Sequence, residues 1–141
     1  MAALSLYNHT AKILIDSSST DTYKVLLLSA GTFSATHTTL AQAAAAYTEV
    51  TNGNGYTTGG QSLANVSLSV VTTNDAKFDA DDVIWNATSA GITAVAAIMF
   101  NDTLLNDPPI AYIDFGGAQN APANTDFKIV WNASGIFTWT V

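Results

Sequence analysis

Short runs of alternating apolar and polar residues, separated by turn residues, dominate the chain. In TYKVLLLS (22–29), Tyr23, Val25 and Leu27 fall on one face with Lys24 opposite. ANVSLSVV (64–71) places Ala64, Val66, Leu68 and Val70 on one side and Asn65, Ser67 and Ser69 on the other. DDVIW (81–85), ITAVAAIMF (92–100), IAYIDF (110–115), FKIVW (127–131) and GIFTWTV (135–141) follow. Phe127, Ile129 and Trp131 align within one of these runs, and Phe137, Trp139 and Val141 within the last. Many short strands of period two, spaced by turns, predict a mainly β fold. The expected architecture is an antiparallel, jelly-roll-like β-sandwich in a single domain over 1–141, since no repeat or linker divides the chain. AKILID (11–16) and TYKVLLLS, joined by SSSTD, read as a hairpin. WNASGI (131–136) reads as the tight turn of a second, C-terminal hairpin, with Gly135 supplying a positive φ.

One segment breaks the β pattern. THTTLAQAAAAY (36–47) is rich in alanine, the best helix former, and Thr38 or Thr39 can cap its start. A short α-helix near residues 39–46 is expected, covering one open end of the sandwich. The alternative is a small-residue surface for another subunit. Pro108 and Pro109 hold an extended approach to the strand that follows them.

YTEVTNGNGYTTGGQSL (47–63) carries four glycines, at 53, 55, 59 and 60. A phosphate-binding P-loop needs a lysine directly after its last glycine, and the next lysine here is Lys77. A dinucleotide fingerprint must open a helix, whereas QSLANVSLSV reads as a strand. The stretch is therefore a wide turn with glycines at positive φ, anchored by Tyr47 and Tyr56.

Composition narrows the function classes. Apolar residues make up 48% of the chain and charged ones 11%, which excludes a disordered chain. Eleven acidic residues face four lysines, and there is no arginine, so the net charge is −7. Nucleic-acid binders need cationic side chains against phosphate, so no nucleic-acid partner is expected. A surface built from Thr, Ser and Asn is cheap to desolvate and suits packing against neighbouring proteins. The absence of cysteine removes disulfides and thiolate chemistry, and fits synthesis in a reducing cytoplasm. MAALSLYNHTAKILID has no basic region ahead of its apolar part, unlike a signal peptide. ITAVAAIMF, the longest apolar stretch, is too short to span a bilayer, so no membrane partner is expected.

Candidate chemistry is sparse. Asp75, Asp79, Asp81 and Asp82 cluster as in oxygen-ligand calcium sites, but the EF-hand pattern is missing, and a solvated turn or polar strand edge is the expected reading. His9 and His37 are the only histidines, and no nucleophile elbow accompanies them. Glu49 is the only glutamate. Trp85, Trp131 and Trp139 could stack on sugars, but their alternation places most of them on the apolar face. Sequons at Asn8, Asn65, Asn86, Asn101 and Asn132 have no secretory context. The expectation is a protein with no catalytic residues, cofactor or metal.

DTYKVLLLS (21–29), YTEVTNGNGYTTGGQSL (47–63), DAKFDADDVIW (75–85) and IAYIDFGGAQNAPANTDFKIVWNASGIFTWT (110–140) together resemble a group of small tailed-bacteriophage virion structural proteins. The resemblance implies a non-enzymatic β-sandwich that decorates, or cements, the outside of the assembled head. It further implies the major capsid protein as partner, self-association as a homotrimer, and a place on the outer capsid surface after synthesis in the host cytoplasm. The same group resembles tail, tail-tip and fibre components, which leaves a receptor- or sugar-binding role as the alternative. This chain departs from the group in its low charge, with Ala and Thr in place of Lys and Glu. The contact surfaces expected are the N-terminal segment around Leu4, Leu6 and Tyr7, and the glycine turn at Gly53, Gly55 and Tyr56.

Overall fold

The computed structural model describes residues 3–70 and 75–140. Val71 and Val141, which end two of the predicted runs, lie outside the described residues. In chain order the elements are β1 (Ala3–Leu6), α1 (Thr10–Asp16), β2 (Tyr23–Gly31), α2 (Leu40–Ala44), β3 (Tyr47–Glu49), β4 (Gln61–Ser62), β5 (Ser67–Val70), β6 (Asp75–Asp79), β7 (Val83–Asn86), β8 (Ile92–Asn101), β9 (Pro109–Ala121), β10 (Asp126–Ile129) and β11 (Phe137–Thr140). The fold is mainly β, and its strand pairs are antiparallel.

A six-stranded sheet runs β1-β9-β8-β2-β3, with β4 also paired to β2. Two small sheets, β10-β7 and β11-β6-β5, back it in a sandwich-like stack. Between them lies the main core: Tyr23, Val25 and Leu27 of β2, Ala97 and Met99 of β8, and Ala111 and Ile113 of β9 meet Phe78, Val83, Trp85, Phe127, Ile129 and Phe137. The face shared by Tyr23, Val25 and Leu27 is the one that the alternation predicts. Leu26 and Leu28 are buried too, on the opposite face, with Ile98, Phe100, Tyr112 and Ala43. The central strands are thus apolar on both sides, as sheets covered on both faces are.

α2 follows the expected position, and the Thr39 hydroxyl accepts the Gln42 N–H at 3.1 Å as its cap. It covers the outer face of the six-stranded sheet through Ala43, rather than an end of the sandwich. β8 departs from strict alternation because its pairing with β9 shifts register between Ala94 and Ala96. Across this irregularity β9 spans Asp114 to Gln119 while β8 spans only Ala94 to Ala96, and Ile92 and Ala94 share the main core with Ala97 and Met99.

Neither predicted hairpin forms. AKILID is helix, not strand: Thr10 is buried, and its hydroxyl donates to the Ile110 carbonyl at 2.7 Å. Ile13 and Leu14, three and four positions on, reach the main core. The Ser17 hydroxyl closes the helix by donating to the Ile13 carbonyl at 2.6 Å. At the other end of the chain the WNASGI turn does form, with the Gly135 N–H donated to the Asn132 carbonyl at 2.9 Å and φ at +115°. Its flanking strands part company, however, since β10 pairs with β7 and β11 with β6. Local turn chemistry was satisfied, and the choice of partner was made by burial elsewhere.

Asn101 ties several elements together. Fully buried, it donates to the Ser17 hydroxyl and to Asp21, both at 3.0 Å, and accepts the N–H groups of Thr103 and Leu104. Its amide is fully satisfied, as a buried amide must be. One of the five sequons is therefore sealed inside the fold.

Candidate functional site

The glycine loop is organised by the edge of β2. β3 pairs with the C-terminal half of that edge, Leu28 opposite Glu49, and β4 with the N-terminal half, Val25 opposite Gln61. Residues 50–60 leave the edge at one place and return to it at the other. Tyr56 fills the gap between: buried, its hydroxyl accepts the Leu27 N–H at 3.1 Å and donates to Glu49 Oε1 at 2.7 Å. The same Oε1 accepts the Gly59 N–H at 2.6 Å. Burial, and then the hydrogen bond to Glu49, hold the Tyr56 hydroxyl well above the ordinary tyrosine range. The side chain completes a strand edge that the backbone leaves open.

At the tip, Gly53 and Tyr56 exchange backbone hydrogen bonds at 2.8 and 2.9 Å around Asn54 and Gly55, whose φ values are +56° and +93°. Positive φ at both central residues is what a two-residue hairpin requires, and Asn-Gly is its preferred pair. A Cβ on Gly55 would overlap the Asn86 carbonyl, and one on Gly60 the Val25 carbonyl. Two of the four glycines thus serve close approach as well as turn geometry.

The N-terminal segment divides. Tyr7 is buried in the second core, its ring edge-on to Phe33 with centroids 5.1 Å apart. Leu4 is half-buried against the main core, whereas Leu6 is 38% exposed. Of the six residues expected at contacts, Tyr7 and Tyr56 are therefore turned into the chain's own interior. Leu6 and the tip glycines Gly53 and Gly55 remain accessible. Leu6 borders an apolar groove of about 480 Å³ between β1, α1 and β11, lined also by Ala11, Leu14, Phe137 and Trp139. Among the described residues, β1 has a strand partner on one side only, so this groove lies beside an open edge of the large sheet.

The acidic cluster is consumed internally. Asp79 pairs with Lys77 at 3.2 Å and accepts the Ala80 N–H. Asp81 accepts Asn65 Nδ2 at 2.6 Å. Asp82 pairs with Lys128 at 3.3 Å and accepts the Trp131 N–H. The carboxylates serve strand ends, and among the described residues no three His, Asp or Glu side chains are placed to hold a metal ion. Asp75 and Asp79 bound β6, a strand that the acidic run conceals. Its Phe78 is fully buried, and the one aromatic in a polar stretch was the signal for it.

His9 Nε2 lies 2.8 Å from the Pro109 carbonyl, and the ring stacks on Tyr7. His37 also faces Tyr7, across 6.5 Å. Both histidines belong to the packing of the second core's rim. Trp85 is buried, and Trp131 donates its indole N–H to the Asp81 carbonyl at 3.0 Å. Trp139, half-buried, lines the apolar groove beside Leu6, whereas Trp131 borders a shallow pocket with Asp79, Asp81 and Asp82. Among the described residues, no helix is long and apolar enough to cross a membrane. No protein-family model, curated protein or solved structure matches the chain.

Proposed function

We propose that this chain is a non-enzymatic structural component of a tailed-bacteriophage virion, a decoration protein that binds the major capsid protein on the outside of the assembled head as a homotrimer. The observation that carries this reading is the apolar groove at Leu6, Leu14 and Trp139, set beside the open β1 edge. A neighbouring chain can add main-chain hydrogen bonds at such an edge and seat a side chain in the groove. Among the described residues, the groove lining, which includes Tyr7, Asn8 and Thr10 besides its apolar residues, carries no charged side chain, so no ion must be stripped of water to fill it.

Many identical sites on a lattice let weak contacts add through trimerisation and effective concentration. Binding that selects the assembled shell stabilises it by mass action. The test is copy number in purified particles, by quantitative mass spectrometry, together with the disruption temperature of bare expanded shells. A simple ratio to the major capsid protein, with disruption at higher temperature when protein is added, is the expected result. A handful of copies per particle would instead favour a tail, tail-tip or fibre role, and Trp139 is then the residue to test on glycan arrays.

A further inference from the structure

The glycine loop contains two Asn-Gly pairs, Asn52-Gly53 and Asn54-Gly55, and both asparagines are exposed. Such pairs are prone to a reaction that needs no enzyme. The backbone nitrogen of the following residue attacks the side-chain carboxamide carbon, and a C–N bond forms. Ammonia leaves, carrying the displaced amide proton, and a cyclic succinimide remains. Water then opens the ring at either carbonyl, giving an aspartyl or an isoaspartyl residue. Glycine favours the attack because no side chain obstructs the approach.

The two pairs are held differently. The Gly53 N–H, the would-be nucleophile for Asn52, is donated to the Tyr56 carbonyl at 2.8 Å. The Asn52 carboxamide is itself fixed, its Oδ1 accepting the Thr58 N–H at 3.1 Å. Among the described residues, the Gly55 N–H has no acceptor. The Asn54 carboxamide makes only a long contact, 3.4 Å, with the Ala90 N–H. The Asn54 carbonyl is held by the Thr88 N–H at 2.9 Å, which restrains the peptide and makes reaction slower than in an unfolded chain.

We infer that Asn54 is a site of spontaneous deamidation and isoaspartate formation in this protein, selected over Asn52 because its neighbouring backbone nitrogen is free. The isoaspartyl product routes the chain through the side-chain carbon and lengthens a turn whose two ends, Gly53 and Tyr56, are hydrogen-bonded to each other. It also displaces the contacts to Thr88 and Ala90 that dock the loop on the turn after β7.

The test incubates the folded chain at mildly alkaline pH and maps products by peptide fragmentation that distinguishes isoaspartate from aspartate. A synthetic peptide of residues 50–60 serves as the unfolded reference. In the folded chain, product should accumulate roughly fivefold faster at Asn54 than at Asn52, the ratio equivalent to one hydrogen bond of about 1 kcal/mol. In the peptide the two sites should react at similar rates. Equal or faster reaction at Asn52 in the folded chain would overturn the assignment. So would an unreactive Asn54 under conditions in which the peptide reacts.

Discussion

Phe78 meets Tyr23 edge-on, with ring centroids 4.9 Å apart and planes at 75°. The contact keys the middle strand of the three-stranded sheet to β2 of the large one. Phe78 also stacks on Phe137, 5.3 Å away. Phe78→Ala should cost about 3–5 kcal/mol of folding stability. Tyr23→Phe keeps the ring and loses only the bond from its hydroxyl to the Ser18 carbonyl, at 2.8 Å, for about 1 kcal/mol. Urea denaturation of the two variants checks the order, and a larger loss at Tyr23→Phe would refute this account of the core.

Tyr56→Phe removes the acceptor of the Leu27 N–H and the donor to Glu49 together. A buried donor left without its partner costs about 1–3 kcal/mol. Glu49→Gln keeps an oxygen for Tyr56 and Gly59 but loses the charge, and should cost less. If Tyr56→Phe is neutral in thermal melts, the hydroxyl does not complete the strand edge.

The glycines should separate into two classes. Gly53→Ala and Gly59→Ala meet open space and suffer only from positive φ, about 1–2 kcal/mol each. Gly55→Ala and Gly60→Ala also drive a methyl into a backbone carbonyl, and should lose about 3 kcal/mol or more. Equal losses at all four would mean that close approach plays no part.

Alkaline pH should unfold the protein through its tyrosines. Tyr47 is raised from 10.0 to about 12, chiefly by burial and then by the Glu49 charge. Tyr7, Tyr23, Tyr56 and Tyr112 are raised as well, each chiefly by burial. A folded pKa above the unfolded one favours the fold fully below the unfolded value, and that stability is lost as pH rises toward the folded value. For Tyr47 the window runs from about 10 to about 12. Tyrosinate absorbance and circular dichroism should change together there, and ionisation at the ordinary tyrosine value with the fold intact would contradict the burial.

Leu6→Asp tests the proposed contact without touching the interior residues Tyr7 and Tyr56. Stability should fall by about 1 kcal/mol, because Leu6 is only partly buried. Binding to shells should be lost. Wild-type binding by a folded Leu6→Asp variant would remove the β1 edge from the contact surface.

The repeating strand signal was legible where alternate residues are buried, as Val83 and Trp85 are in β7 and Phe127 and Ile129 in β10; ANVSLSVV alternates as cleanly, yet its Val70 is exposed. Helix α2 was legible from alanine and a threonine cap. AKILID was not, since a six-residue apolar run carries too few turns to distinguish a helix from a strand. Strand partners were hidden because pairing is decided by non-local burial, and the turn at 131–136 is compatible with either outcome. The bond from Tyr56 to Glu49 joins residues only seven apart, yet it depends on the gap between β3 and β4, which no local pattern encodes.

The two edges of the six-stranded sheet differ in kind. On one side, three-residue β3 and two-residue β4 share the margin with a glycine loop between them, too short and broken to template another chain. On the other, among the described residues, β1 is open. A sheet with one usable margin can accept a single added strand and then terminates, so strand addition at the six-stranded sheet pairs two edges and stops there.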